Sequence, residues 1–162
     1  MSIAWEDSYL GRLRKKVGSQ MIIAPAARAI IQNEKGEILF VRRRDNDAWV
    51  MPAGGLELHE SIFDCLKREV KEETGLDVIS AKSIAMYTGP KYEYTNGYGD
   101  ENKMFAVVFL VEEWSGKILK ETDETYDAKF FSLHNLPDIP NLYRESIEDL
   151  ENYKLNGNVI LK

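Results

Sequence analysis

The chain has 162 residues with 21 basic and 27 acidic side chains and a formal net charge of −6. That length supports one domain able to bury about 70% of its unfolded surface, and the acidity speaks against a general nucleic-acid binder, which would need a basic face. A single cysteine, Cys65, excludes an intrachain disulfide framework, and the longest apolar runs fall far short of a membrane span.

The opening residues Met1–Asp7 carry acids where a secretory leader would need basic and then apolar residues, so a cytoplasmic location is expected. Residues 3–17 predict an amphipathic helix, with Trp5, Leu10 and Leu13 apolar, Arg12, Arg14, Lys15 and Lys16 polar, and Gly18 ending it. This helix is set apart from a single domain expected over residues 18–162. Ile22 to Gln32 predicts a strand, and its Arg28 is a candidate phosphate contact. Asn33-Glu34-Lys35-Gly36 is a turn signal before a second strand through Ile38, Leu39, Phe40 and Val41. Arg42, Arg43 and Arg44 follow. Alternation permits one or two of them to face a site, and Arg42 and Arg44 are the candidates.

The segment Gly54–Leu76, GGLELHESIFDCLKREVKEETGL, is the most informative of the chain. Ser61 is suited to cap a helix N-terminus, with Asp64 favouring the same end, and Gly75 suits a left-handed terminator. At about 100° per residue, Glu69, Glu72 and Glu73 fall within roughly a third of the circumference, beside the apolar side made by Ile62, Leu66 and Val70. Asp64, Lys67 and Lys71 project the other way. Three glutamates turned toward the protein body repel one another unless a cation sits among them, and a hard divalent metal is the expected one. Arg68 can pair with Glu72 one turn on or reach back to Glu60. Cys65 falls on the inner side and reads as a packing residue.

Further strands are predicted at Val78–Tyr87, Met104–Glu112 and Lys129–Ser132, and a closing helix at Tyr143–Tyr153, terminated near Gly157. Between the first two of these strands, Thr88–Lys103 is rich in tyrosine and carries an Asn96-Gly97 turn signal. Such a hairpin could stack Tyr92, Tyr94 or Tyr98 on a nucleobase, though alternating tyrosines commonly pack against neighbours. Mixed strands with helices before, between and after them suggest an α/β or α+β sandwich.

The spacing Gly54, Glu60, Arg68, Glu69, Val70, Glu72, Glu73, Gly75, Leu76 resembles the Nudix box, G-x5-E-x7-R-E-U-x-E-E-x-G-U with U apolar, at every specified position. Trp49-Val50-Met51-Pro52 before it, and Asp123-Glu124 with the later Ala128–Leu133 and Leu136-Pro137, resemble the family's flanking segments. The resemblance implies a mixed β-sheet between helices. It also implies hydrolysis of a small nucleoside diphosphate linked to another moiety, ADP-ribose or a nucleotide sugar being favoured, with Mg2+ or Mn2+. It implies metal ligation by Glu69, Glu72 and Glu73, joined by the Ala53 carbonyl, with Arg68 holding side chains in place. Glu57 and Glu60 become outer carboxylates or anchors, Glu60 favoured as an anchor held by Arg68. The general base would be a box glutamate or a downstream one, for which Glu124 is the best candidate, followed by Glu121 and Glu101. His59 and His134 are isolated and receive no ligand role. A noncatalytic nucleotide-sensing module on the same fold is the alternative. Isomerase chemistry of related fold would want a catalytic cysteine outside the helix and a degenerate box, whereas Cys65 lies inside an intact one. A homodimer paired through the N-terminal helix is open, since dimers are common in the family.

Overall fold

The computed structural model describes residues 2–162. A 3-10 turn at Trp5–Asp7 precedes helix α1 (Tyr9–Val17). The predicted helix over 3–17 is therefore broken at Ser8, which adopts extended backbone and caps α1 by accepting from the Gly11 amide. Gly11 is packed so closely against this turn that a Cβ there would lie 1.8 Å from the Trp5 carbonyl oxygen.

The chain then runs through β1 (Ile22–Ile31), β2 (Ile38–Arg43), β3 (Trp49–Val50), β4 (Ala53–Gly55), α2 (Ile62–Thr74) and β5 (Asp77–Tyr87). It continues as β6 (Glu93–Thr95), β7 (Glu101–Ser115), β8 (Thr125–Phe131), α3 (Asn141–Asn156) and β9 (Ile160–Leu161). Among the described residues these form two sheets. The larger has the order β4-β1-β7-β5-β9, with β6 also paired to β7, and the smaller is β3-β2-β8. β1 and β7 run parallel over ten pairs, from Ile22 opposite Asn102 to Ile31 opposite Val111. β4 and β5 lie antiparallel to their neighbours β1 and β7. The result is the mixed α+β sandwich expected from the sequence.

Period-two alternation along β1 and β2 sorts side chains into two cores. Ala27, Ala29, Leu39 and Val41 pack with Cys65, Leu66 and Val70 of α2. Ile30 and Phe40, of opposite parity, pack with Ile84, Tyr87 and Leu150 on the side of α3. Helix α2 has both predicted caps: Ser61 and Asp64 form a reciprocal capping box, and Gly75 ends it in left-handed conformation at φ 79°. It lies against β1, β4 and β5, which places its glutamates beside the glycine-rich β4.

Candidate active site

The site begins at Gly54. A Cβ there would sit 1.9 Å from the carboxyl carbon of Glu69, so any side chain would push that carboxylate out of place. Glycine thus lets the β4 backbone lie directly against α2. One turn further along α2, the Glu73 carboxylate is fully buried, and its Oε2 accepts from the Ala53 amide at 3.0 Å. Its Oε1 has no hydrogen-bond partner, although the Arg43 guanidinium lies 3.5 Å away. A buried carboxylate oxygen left unpaired is costly.

The third carboxylate comes from far downstream. Thr125 at the start of β8 donates its hydroxyl to the Glu73 carbonyl at 3.1 Å, and the Arg44 amide donates to the Glu124 carbonyl at 2.9 Å. These two bonds pin Glu124 beside α2. Oxygens of Glu69, Glu73 and Glu124 then lie within 4.8 Å of one another, the one such group of potential ligands among the described residues. Burial, then the neighbouring carboxylate charges, push Glu73 well above the ordinary carboxylate range, and burial pushes Glu69 up to about 7 despite Arg68. This donor set fits a divalent cation. It offers clustered oxygens, an unpartnered buried acceptor, and a charge excess that one cation would relieve.

Arg68 organises the surrounding acids. Its Nε and Nη2 donate to the two oxygens of Glu60 at 2.9 and 2.7 Å, its Nη1 reaches Glu69 and Glu72, and Nη2 also donates to the Gly55 carbonyl. Glu72, 3.1 Å from Arg68, lines the cleft but stands outside the three-carboxylate group. Glu57 accepts from the Tyr9 amide at 2.9 and 3.1 Å, tying the box loop to the first turn of α1. Cys65 is buried, with its sulfur 3.4 Å from the Gly55 carbonyl, and burial pushes its thiol up to about 12. An inert packing thiol is consistent with this. Glu121 is an exposed partner of Arg44, and Glu101 is exposed at the start of β7.

The cleft over these carboxylates encloses about 270 Å³ and is walled by Ile3, Trp5, Ser8 and Leu10 of the N-terminal segment together with Arg43. A second cavity, of about 790 Å³, shares Trp5, Leu10 and Arg43 with it and reaches Tyr94 and Tyr98.

Several sequence candidates lie elsewhere. Arg28 has the parity of Ile30 and is buried on the α3 side. There it is 4% exposed, donates to Ser146, and lies against the rings of Tyr143 and Tyr87 at 4.9 and 5.9 Å. It does not line the cleft. Arg42 is held outward by Asp47 at 2.8 Å and lies over Tyr126, while Arg44 donates to the Thr122 carbonyl. The arginine that reaches the carboxylates is Arg43, of the parity of Leu39 and Val41. The alternation of the apolar residues before it was the available signal. Tyr92 is buried, stacked on Tyr87 at 4.9 Å, and donates to Glu145. Tyr94, 45% exposed, remains in position to meet a ligand. Trp5 and Leu10 had no local sequence signal.

The carboxylate cluster at the edge of an α+β sandwich defines an acidic centre suited to metal-assisted chemistry. A NUDIX domain family model matches residues 23–150, and the chain belongs to that family. It is similar to an ADP-ribose pyrophosphatase of Methanocaldococcus jannaschii, at 29% identity over 137 residues covering 83% of this chain and 76% of the relative. A Bacillus subtilis protein named as an 8-oxo-dGTP diphosphatase is 31% identical over 135 residues, covering 82% and 83% of the two chains. Among solved structures, an ADP-ribose pyrophosphatase from Streptococcus suis superposes with a TM-score of 0.66 at 25% identity, covering 86% of this chain and 98% of the other. The protein is thus a Nudix pyrophosphohydrolase, of a family that acts on small nucleotides and generally uses a divalent metal. No helix among the described residues is long and apolar enough to cross a membrane.

Proposed function

We propose that the protein cleaves nucleoside diphosphates linked to a second moiety, of the ADP-ribose or nucleotide-sugar type, with Mg2+ or Mn2+. The convergence of Glu69, Glu73 and Glu124 around an unpartnered buried oxygen carries the reading. The substrate class is supported by the relatives named for ADP-ribose and by the second cavity, which continues from the cleft beyond Arg43.

Glu69, Glu73 and Glu124 would hold the ion, with the Ala53 carbonyl joining from the chain segment that also supports Glu73. When bound, such an ion neutralises charge on phosphoryl oxygens and acidifies an attacking water. Arg68 keeps the acids oriented, and its bond to Glu72 Oε2 leaves Oε1 as the atom to take a proton from that water. Arg43, beside Glu73, is the cation placed to meet a phosphate. The N-terminal segment narrows the cleft and excludes bulk water.

A product assay tests this over ADP-ribose, nucleotide sugars, dinucleoside polyphosphates and 8-oxo-dGTP, with and without Mg2+. The expected result is ion-dependent conversion of ADP-ribose to AMP and ribose 5-phosphate, at a higher kcat/KM than for 8-oxo-dGTP. Preference for the triphosphate would overturn the substrate class.

A further inference from the structure

The second cavity has a composition that specifies what it accepts. Its two cations are already committed, and Nη1 of Arg43, which is left to meet the diphosphate, faces Glu73 in the cleft. Arg14 donates to the carbonyls of Gly18, Gln20 and Glu101 and to Asn102 Oδ1, with Asp100 4.0 Å away. Arg43 is held by both oxygens of Asp45 and faces Glu73. A second anionic group would therefore find no free arginine there. Aromatic surface, by contrast, is available: Tyr94 is 45% and Trp5 58% exposed.

The asparagine amides that line the cavity are also committed. Reading a base edge bidentately requires both ends of such an amide. Asn96 Oδ1 accepts from the Tyr98 and Asp100 amides while its Nδ2 donates to Asp100. Asn102 Oδ1 accepts from Arg14, and Asn46 Oδ1 accepts from the Ala48 amide. None of the three has both ends free. A flat ring can be stacked here, but its edge has no dedicated reader.

We infer that this cavity is a base-stacking subsite on Tyr94 and Trp5 that accepts the nucleobase end of the substrate with little discrimination among bases. The inference rests on the preceding reading for the placement of the diphosphate at the carboxylates. Every base offers a π face, so stacking gives affinity without sequence-like selectivity. The N-terminal segment then contributes to substrate recognition as well as to shielding the cleft, because Trp5 lines both cavities.

The test is calorimetric binding of AMP, GMP, CMP, UMP and ribose 5-phosphate to the intact protein with Mg2+, in the wild type, Tyr94→Ala and Tyr94→Trp. The four nucleotides should bind within about tenfold of one another and about tenfold or more tighter than ribose 5-phosphate. Tyr94→Ala should erase most of that margin for all four, and Tyr94→Trp should preserve it, with thermal melts showing both variants folded. The inference is overturned by a preference for one base above about 100-fold, by equal binding of ribose 5-phosphate, or by an unchanged Tyr94→Ala. ADP-ribose turnover measured alongside separates the two claims. Base-tolerant binding without turnover retains the subsite and removes the proposed substrate, whereas turnover without that binding pattern removes the subsite alone.

Discussion

At the scale of single residues, the site depends on how closely β4 and α2 approach. Gly54→Ala would drive a Cβ into the Glu69 carboxylate, so we expect turnover to be nearly abolished while circular dichroism still reports a folded chain. Glu73→Gln removes the charge of a fully buried carboxylate. Loss of an outer partner of a metal ligand already costs about 10–100-fold, so turnover should fall by more than about 100-fold. The same substitution should raise the melting temperature of the metal-free protein, since a fully buried carboxylate crowded by the charges of Glu69 and Glu124 is replaced by a neutral amide. A metal-free variant that melts lower than wild type would show that Glu73 serves packing instead. Lys71→Gln is the control, because Lys71 is exposed on the outer face of α2. The sequence displayed this part of the site well, since the glutamates, arginine and glycines sit on one short helix and its preceding turn. Arg28 was misplaced for want of strand parity: Ala27 and Ala29 on its flanks face α2, which turns Arg28 to α3. The same parity turns Arg43, and not Arg42 or Arg44, to the carboxylates.

At the scale of elements, the capping box on α2 and the anchoring of α1 are the features that position side chains. Ser61→Ala should lower stability by about 1 kcal/mol in a denaturant titration, the usual worth of such a cap. Gly11→Ala tests the N-terminal segment, because the added methyl would meet the Trp5 carbonyl and displace that turn. We expect it to raise KM more than it lowers kcat, since Trp5 walls the cleft and is not one of the three clustered carboxylates. A purely structural Gly11 would lower the melting temperature and leave KM alone. Long strands and helices were legible from periodicity, with boundaries within a few residues except at α1, which begins at Tyr9 and not at residue 3. The short strands β3, β4, β6 and β9 were not, because two or three residues carry no period and owe their conformation to a neighbouring strand. The Asn96-Gly97 signal did mark a hairpin, but the loop spans five residues between Thr95 and Glu101 and is held by the Asn96 side chain.

At the scale of the whole molecule, an acidic chain concentrates acids at one point of the fold, and pH should reveal the cost. Burial raises Glu69 to about 7 and holds Glu73 well above the ordinary value of 4.5. Groups raised on folding contribute stability below their ordinary value and lose it as pH climbs through the folded one. Metal-free protein should therefore lose melting temperature between about pH 4.5 and 7, and the increment restored by Mg2+ should grow over the same window. A Mg2+ increment that is flat with pH would contradict this. Glu124 is legible in the sequence only through the family resemblance, and the fold supplies the physical reason: the β2–β8 pairing, the Arg44 bond to its carbonyl and the Thr125 bond to Glu73 bring residue 124 back to the box. The central claim is that these three carboxylates form the ion site, and it is tested most directly by titrating Mg2+ against ADP-ribose turnover in wild type and Glu124→Gln. The account predicts no turnover without the ion, and in Glu124→Gln a lower kcat together with a half-saturating Mg2+ concentration raised by about tenfold or more. An unchanged Mg2+ dependence in that variant would contradict it.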